Sequence, residues 1–230
     1  MLIRISHIIE KDRPMWPGVF SCDFEQDASI EKGNRANAYI VRMTNHFSTH
    51  VDTPAHYIKD GLNISQLPLE SFFYDRPLLV DIPKSKEESV VADDLRPFED
   101  ELKHADLLMI RSGFTKYRAT DKNLYSAHGP AVSADAAKYI MENFKLKAIA
   151  IDWISLANPA GTREPMDDGH IAHDYLLGKH TKHFTLIIED ACFEEIVGKK
   201  LKRVYGIPLI YGMGIDSAPI TMIAEVEGNC

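Results

Sequence analysis

The sequence predicts an α/β fold with a sheet-rich core, and an α+β fold is the alternative. Short apolar runs of strand length outnumber the amphipathic helical patterns, the two types are interspersed along the chain, and 45% of the 230 residues are apolar. A chain of this length can bury a full core without disulfides. Because Gly and Pro are scattered and form no linker, we expect a single domain over residues 1–230.

Eight segments have the length and apolar content of buried or half-buried strands. Several are rich in the β-branched residues that strands favour. These segments are residues 2–9, 38–43, 77–82, 106–111, 147–152, 184–189, 204–210 and 220–226.

The helical signals are fewer. Residues 134–144 follow Ser133, a favourable N-cap, and place Ala137, Ile140, Met141 and Phe144 on one stripe. An acidic candidate over residues 92–104 is broken near Pro97, and two short candidates cover residues 171–178 and 192–197.

Charge and cysteine usage exclude several classes of protein. The 26 basic and 34 acidic residues give a net charge of −8, which argues against a nucleic-acid partner or an anionic membrane partner. The three cysteines, Cys22, Cys192 and Cys230, show no CxxC spacing and are expected to be reduced thiols. No apolar run approaches the length of a membrane span and no signal peptide is apparent, so we expect a cytoplasmic protein.

The most informative stretch runs from residue 45 to residue 56. Polar side chains occupy every second position, His46, Ser48, His50 and Asp52, which predicts one strand with these four residues on one face. Two imidazoles and a carboxylate suit a divalent metal such as Zn²⁺ or Mn²⁺. Pro54 ends the strand, so His56 approaches from a loop, where it could accept a proton from a water on the metal.

A second group of candidates lies between residues 167 and 190. His173 falls on a short predicted helix, and Glu189 ends a buried strand, where a carboxylate is costly unless it is paired or bound to a metal. We expect a functional role for Glu189. His170, His180 and His183 are expected to be solvated or to lie in an outer shell around the site.

The first run resembles the pattern His-x-Gly-Thr-His-x-Asp-x-Pro-x-His of the cyclase-like metal-dependent hydrolases, the family of bacterial kynurenine formamidase and isatin hydrolase. Every residue of the pattern matches except the glycine, which is Ser48 here. The segments 14–18, 108–113 and 150–152 resemble other parts of the family sequence, as does His173 with Leu176, Leu177 and Glu189 downstream.

The resemblance implies a swivelling β/β/α fold with a barrel-like mixed sheet, assembled as a homodimer or homotetramer. It implies one or two divalent ions held by His46, His50, Asp52, His173 and Glu189, with His56 as the general acid/base. Trp16 lies in an aromatic-Pro-Gly segment that approaches the substrate in the family. Ser48 adds a hydroxymethyl group that could narrow the site or donate a hydrogen bond to the substrate.

The predicted function is a metal-dependent hydrolase that opens an amide, formamide or cyclic amide C–N bond of a small molecule, as in tryptophan catabolism. The metal would activate a water, and His56 would transfer its proton. Two alternatives stay open: a metal-dependent cyclase or dehydratase acting on a carbonyl compound, and a metal-binding module that has lost catalysis. No GxSxG, GxGxxG or Walker pattern points to a serine nucleophile or to a nucleotide.

Overall fold

The computed structural model describes residues 1–160 and 168–228, without the side chain of Asp168. Thirteen strands form within these residues. They are β1 (Leu2–Arg4), β2 (Cys22–Ala28), β3 (Ala38–Met43), β4 (His50–Asp52), β5 (Phe73–Tyr74), β6 (Pro77–Asp81), β7 (Ser89–Val90), β8 (Leu107–Arg111), β9 (Ala131–Val132), β10 (Ala148–Ile151), β11 (Leu186–Glu189), β12 (Leu201–Pro208) and β13 (Ser217–Val226).

Five α-helices and seven short 3₁₀ helices accompany the strands in the described part of the chain. The α-helices are α1 (Ala92–Leu95), α2 (Glu99–Leu102), α3 (Lys122–Ala127), α4 (Ala134–Asn143) and α5 (Asp168–Leu176). The 3₁₀ helices cover Ile30–Lys32, Pro54–His56, Ile64–Gln66, Leu69–Phe72, Arg96–Phe98, Phe114–Tyr117 and Glu194–Ile196. None of the helices described is long and apolar enough to cross a membrane.

One nine-stranded mixed sheet organises the fold and curls into a nearly closed barrel. Its order is β5-β12-β13-β4-β11-β10-β8-β6, and β1 adds to β13. Strands β6, β8, β10 and β11 are parallel, whereas β4, β12, β13 and β1 pair antiparallel. The prediction of an α/β fold with a mixed barrel-like sheet is therefore confirmed.

The parallel strands are apolar except for the last residues of β6, β8 and β11, and the inner strands β8, β10 and β11 are covered on both faces. On β8, Leu108 and Ile110 join the core formed with α4 and α5, whereas Leu107 and Met109 join the core inside the curled sheet. Ser133 caps α4 as expected, and its hydroxyl accepts a hydrogen bond from the N–H of Ala136.

Most predicted elements are present, but several differ in extent. The first strand is short, the acidic helix splits into α1, a 3₁₀ turn and α2, and the segment 192–197 forms only a 3₁₀ turn. Strands β2, β5, β7 and β9 and helix α3 have no counterpart among the predicted elements. Strand β2 is polar in sequence because it pairs only with β3, in a separate two-stranded ribbon. Cys230 and Asp167 lie outside the described residues.

The topology brings the histidine run next to the end of a parallel strand. Glu189, the last residue of β11, is in register with His50 on β4, and Asp52 is in register with Ser217 on β13. The carboxyl ends of parallel strands are where α/β proteins place their sites.

Candidate metal centre and catalytic pocket

The predicted metal-binding strand is shorter than its sequence pattern indicates. Strand β4 begins only at His50, so the placement of His46 and Ser48 on the same strand face is wrong. A turn closed by the N–H of Phe47 donating to the carbonyl of Thr44 precedes it, and Ser48 adopts a left-handed conformation with φ of 61°. The turn folds His46 back toward β4, so the imidazole still reaches the site.

Six predicted residues nevertheless converge. The Nδ1 atom of His46 lies 3.0 Å from Oδ1 of Asp52, and Nε2 of His50 lies 3.6 Å from the same oxygen. Glu189 Oε2 lies 3.4 Å from Nε2 of His50, and Glu189 Oε1 lies 3.5 Å from Nε2 of His173. Two groups of three residues could each hold a metal ion. The first group is His46, Asp52 and the sixth residue, His56; the second is His50, Asp52 and Glu189.

The residues in the cluster fit a divalent metal. His50 Nε2 and both carboxylate oxygens of Asp52 are buried without a hydrogen-bond partner among the described residues. The contact of His46 with Asp52 is close but does not have hydrogen-bond geometry. Buried polar atoms of this kind are costly unless something coordinates them. The combination of imidazole nitrogens and carboxylate oxygens is one that binds divalent transition metals.

Backbone contacts orient two of the imidazoles. Nδ1 of His50 lies 2.8 Å from the carbonyl oxygen of Ser48, and Nδ1 of His173 lies 2.7 Å from the carbonyl oxygen of Gly169. A carbonyl can only accept, so each Nδ1 carries the proton and each Nε2 is free to bind a metal. Helix α5 carries both His173 and the carbonyl that orients it.

The electrostatics favour a cation at the cluster. Burial lowers the pKa of His46, but Asp52 and Asp216 outweigh burial and raise it to about 10. Burial also opposes the pKa shift of Glu189, yet His173 and His50 hold that pKa well below its usual value. Without a cation, the histidines therefore retain protons that a metal would displace.

The sequence analysis missed Asp216, which contacts two of the histidines. Its Oδ2 atom lies 2.7 Å from Nδ1 of His56 and 3.0 Å from Nε2 of His46. His56 is the last residue of the 3₁₀ turn Pro54–His56, which follows β4, so it approaches the cluster from outside the strand, as predicted. No local pattern marks Asp216, because it is separated from His56 by 160 positions in sequence.

The cluster forms one wall of a largely apolar cavity of about 420 Å³. Trp16 and Ser48, the two predicted substrate contacts, both border it. Tyr57 lies at the wall and stacks on His173 with ring centroids 4.6 Å apart. The other residues that line the cavity are Met15, Val19, Thr44, His46, His50, His56, Ile154, Ser155, Ala157, His170 and Glu189.

Three histidines, His170, His180 and His183, are predicted to be solvated or to lie around the site without binding the metal. His180 and His183 are exposed, as expected. His170 lies in the cavity wall, outside both groups of candidate ligands, and its Nδ1 contacts the hydroxyl of Tyr57. Its position on α5, one turn before His173, is the only signal in the sequence that could have suggested this.

Comparison with known proteins decides the family. The sequence model of the family described as "Putative cyclase" matches residues 3–158, more than half of the chain. The chain belongs to the cyclase family. The run of histidines and Asp52 lies within the matched region, whereas His173, Glu189 and Asp216 lie beyond it.

Named relatives cover the chain to different extents. The kynurenine formamidase of Bacillus mycoides is 26% identical over 230 residues, which is 96% of this chain and 95% of that protein. An uncharacterized protein of Haemophilus influenzae is 33% identical over 116 residues, 50% of this chain and 82% of that protein. Cyclase-like protein 1 of Arabidopsis thaliana is 27% identical over 160 residues, which is 66% of this chain and 61% of the plant protein.

Solved structures share the fold. Isatin hydrolase A from Labrenzia aggregata, bound to benzyl benzoate, superimposes with a TM-score of 0.78 at 16% identity and covers 97% of this chain and 93% of its own. A predicted metal-dependent hydrolase from Bacillus stearothermophilus gives a TM-score of 0.72 at 18% identity and covers 97% of each chain. The cyclase fold therefore extends beyond the region that the family model matches.

Proposed function

We propose that this protein is a metal-dependent hydrolase that opens the C–N bond of an amide, formamide or cyclic amide. The observation that carries the proposal is the buried cluster of unpaired ligand atoms, beside His56, in the wall of an apolar cavity. The relative named kynurenine formamidase, which is similar over nearly the whole chain, supports this reaction type. The neighbour in the fold comparison named isatin hydrolase agrees with it.

Five residues would hold the metal: His46, His50, Asp52, His173 and Glu189. Asp52 belongs to both candidate ligand groups, so it is the residue suited to bridge two ions if two bind. Nitrogen and carboxylate donors without a thiolate favour Zn²⁺ or Mn²⁺. When bound, such an ion supplies a Lewis acid that lowers the pKa of a coordinated water from 15.7 to about 7.

His56 would transfer protons during the reaction. Because its Nδ1 faces the carboxylate of Asp216, its Nε2 is free to accept a proton from the attacking water and to return it to the leaving nitrogen. The imidazolium formed when the ring accepts the proton is itself an acid, so one imidazole can do both in sequence. Asp216 would orient the ring.

The cavity wall would bind the substrate. The indole of Trp16 and the ring of Tyr57 offer flat apolar surfaces to an aryl group. Ser48 would contact the part of the substrate nearest the metal. An aryl formamide or a cyclic aryl amide therefore suits the cavity, and its carbonyl would point toward the ligand cluster.

The assay that tests this proposal uses the whole chain, stripped of metal and then reloaded with Zn²⁺ or Mn²⁺. A panel of aryl formamides and cyclic aryl amides is offered, and the products are identified by mass. We expect hydrolysis that disappears with a chelator and returns with metal. Metal binding without turnover of any amide would indicate a binding module that has lost catalysis. Ring closure or loss of water would instead favour the cyclase or dehydratase alternative.

We also propose that residues 1–230 act as one domain within a cytoplasmic homodimer or homotetramer. The exposed ribbon of β2 and β3 supports the assembly, because a two-stranded ribbon is at best marginally stable alone. The reduced state of Cys22 and Cys192, both free thiols in the structure, fits the cytoplasm.

A further inference from the structure

A buried ion pair lies behind the ligand cluster, outside the cavity. The guanidinium of Arg118 donates from Nε to Oδ1 of Asp190 at 2.9 Å and from Nη2 to Oδ2 at 2.7 Å. The hydroxyl of Tyr125, on α3, donates to Oδ1 of Asp190 at 2.6 Å. All three side chains are buried, and none of them borders the cavity that holds the cluster.

This ion pair is bonded to both segments that carry the innermost ligands. Asp190 directly follows Glu189, and the carbonyl oxygen of Asp190 accepts a hydrogen bond from the hydroxyl of Thr49 at 2.5 Å. Thr49 directly precedes His50. The Nη2 atom of Arg118 also lies 3.3 Å from the hydroxyl of Ser48, on the other side of Thr49.

Two strained backbone positions coincide with these contacts. Ser48 and Asp190 are non-glycine residues with φ of 61° and 53°, in the left-handed region that costs most residues free energy. Arg118 bonds the side chains of both. Such conformations persist only where the surroundings impose them, and here the turns they create direct His50 and Glu189 toward each other.

We propose that Arg118, with Asp190 and Thr49, is a positioning group that holds His50 and Glu189 in the geometry that binds the metal. This inference rests on the proposed function, because it assigns Arg118 to that same site. A buried ion pair contributes little net free energy to folding, since the cost of desolvating both charges offsets their attraction. The two-pronged geometry of an arginine, in contrast, fixes several groups at once.

The test compares conservative variants of Arg118 and Thr49 with matched variants elsewhere in the chain. Arg118→Lys keeps the charge but cannot bond Asp190 through two nitrogens and Ser48 as well. Arg111→Lys is its control, because Arg111 makes a similar forked contact with Glu194 away from the cavity. Thr49→Val removes the bridging hydroxyl, and Thr115→Val removes a comparable hydroxyl that bonds the carbonyl of Asp152.

The measurements are the dissociation constant of Co²⁺, by competition with a chelator, and the visible absorption spectrum of the bound Co²⁺. Loss of a group that orients metal ligands typically weakens binding by about 10–100-fold. We expect losses of that size in R118K and T49V, with altered absorption bands, and wild-type behaviour in R111K and T115V. The thermal midpoint of each metal-free variant shows whether it folds, and T49V carries the test if R118K does not.

The outcomes separate this inference from the proposed function. If folded R118K and T49V bind Co²⁺ with the wild-type constant and spectrum, the positioning role is overturned while the proposed function stands. The role is overturned as well if the control variants lose the same affinity, because the effect is then general. If the wild-type chain binds no Co²⁺, the proposed function fails, and the positioning role fails with it.

Discussion

Asp216 Oδ2 lies 2.7 Å from Nδ1 of His56, so a carboxylate from the loop before β13 orients the proposed acid/base from behind. The same oxygen lies 3.0 Å from Nε2 of His46. One carboxylate thus links the residue proposed to move protons with a residue proposed to hold metal. This arrangement resembles the outer-shell carboxylates that fix the ring orientation of imidazole ligands elsewhere.

Asp216→Asn tests this link. The amide keeps the shape of the side chain but replaces the carboxylate that orients His56 with a weaker acceptor, so we expect kcat to fall by about 10–100-fold with little change in KM. Steady-state kinetics with an aryl formamide measures both constants. Asp100→Asn, at a side chain that is 95% exposed and does not border the cavity, is the control. A larger change in KM than in kcat would assign Asp216 to substrate binding instead.

Removing His56 separates proton transfer from metal binding. His56→Ala should keep the metal content near that of the wild type and lower kcat by at least about a hundredfold, the low end for loss of general acid–base catalysis. Elemental analysis and kinetics on the same preparation give both results. Loss of metal would make His56 a ligand, which its group with His46 and Asp52 would explain. Full activity would pass the proton transfer to Glu189 or His173.

Asp52 should be indispensable for metal retention. It belongs to both candidate ligand groups, and its two buried oxygens have no hydrogen-bond partner among the described residues. Asp52→Ala should therefore abolish metal binding, measured by elemental analysis after gel filtration, whereas Asp100→Ala, at a side chain that is 95% exposed, should retain the wild-type content. An unchanged metal content in D52A would contradict the assignment.

Much of this site could be predicted from the sequence because its core is local. All six converging residues are predicted from spacing or from the resemblance, although the predicted strand extends too far toward the N-terminus. A period of two describes side-chain direction only while the backbone stays extended, and Ser48 breaks it with a φ of 61°. The glycine that the family pattern places there is the residue that adopts such angles most readily, and it was the available warning.

The rest could not be predicted, because it depends on pairing between distant strands. Asp216 reaches the site only because β13 pairs antiparallel with β4, which brings Ser217 opposite Asp52. Arg118 reaches Asp190 across 72 positions of sequence. Neither contact leaves a pattern in the residues around it. The ribbon strand β2 was missed for another reason, since its exposed residues lack the apolar alternation that identifies a core strand.

Metal binding should release protons. His46 has a pKa of about 10 without a cation, so it is protonated at pH 7.5, and the imidazole must be neutral to bind a metal. Adding Zn²⁺ to the metal-free chain in a weakly buffered solution should acidify it, and affinity should fall as pH falls. His46→Gln should release fewer protons, and exposed His183→Gln should match the wild type. No release at pH 7.5 would show that His46 is already neutral.

The raised pKa of His46 also predicts how the stability of the metal-free chain depends on pH. Because folding raises the pKa of His46 above 6.5, the stabilisation from its protonated ring is complete below about pH 6.5 and is lost as the pH rises through about 10. Thermal unfolding of the metal-free chain should show this contribution decline over that range. The contribution of the protonated ring should be absent in H46Q. A decline of equal size in the variant would assign the pH dependence to other groups.

The ribbon formed by β2 and β3 should mediate self-association. Tyr39, Ile40 and Val41, consecutive residues of β3, are 59%, 41% and 49% exposed, and β3 pairs with no strand except β2 in the described chain. An exposed apolar strand with a free edge tends to find a partner, and a second copy of the chain would cover it. Light scattering at micromolar concentration should give at least twice the chain mass of 26.0 kDa.

Val41→Glu should shift the mass toward the monomer, because the charge would be buried in the interface. Leu69→Glu, at an apolar residue that is 56% exposed away from the ribbon, should leave the mass unchanged. A wild-type mass of 26.0 kDa would refute the assembly, and an oligomer unaffected by V41E would place its interface elsewhere.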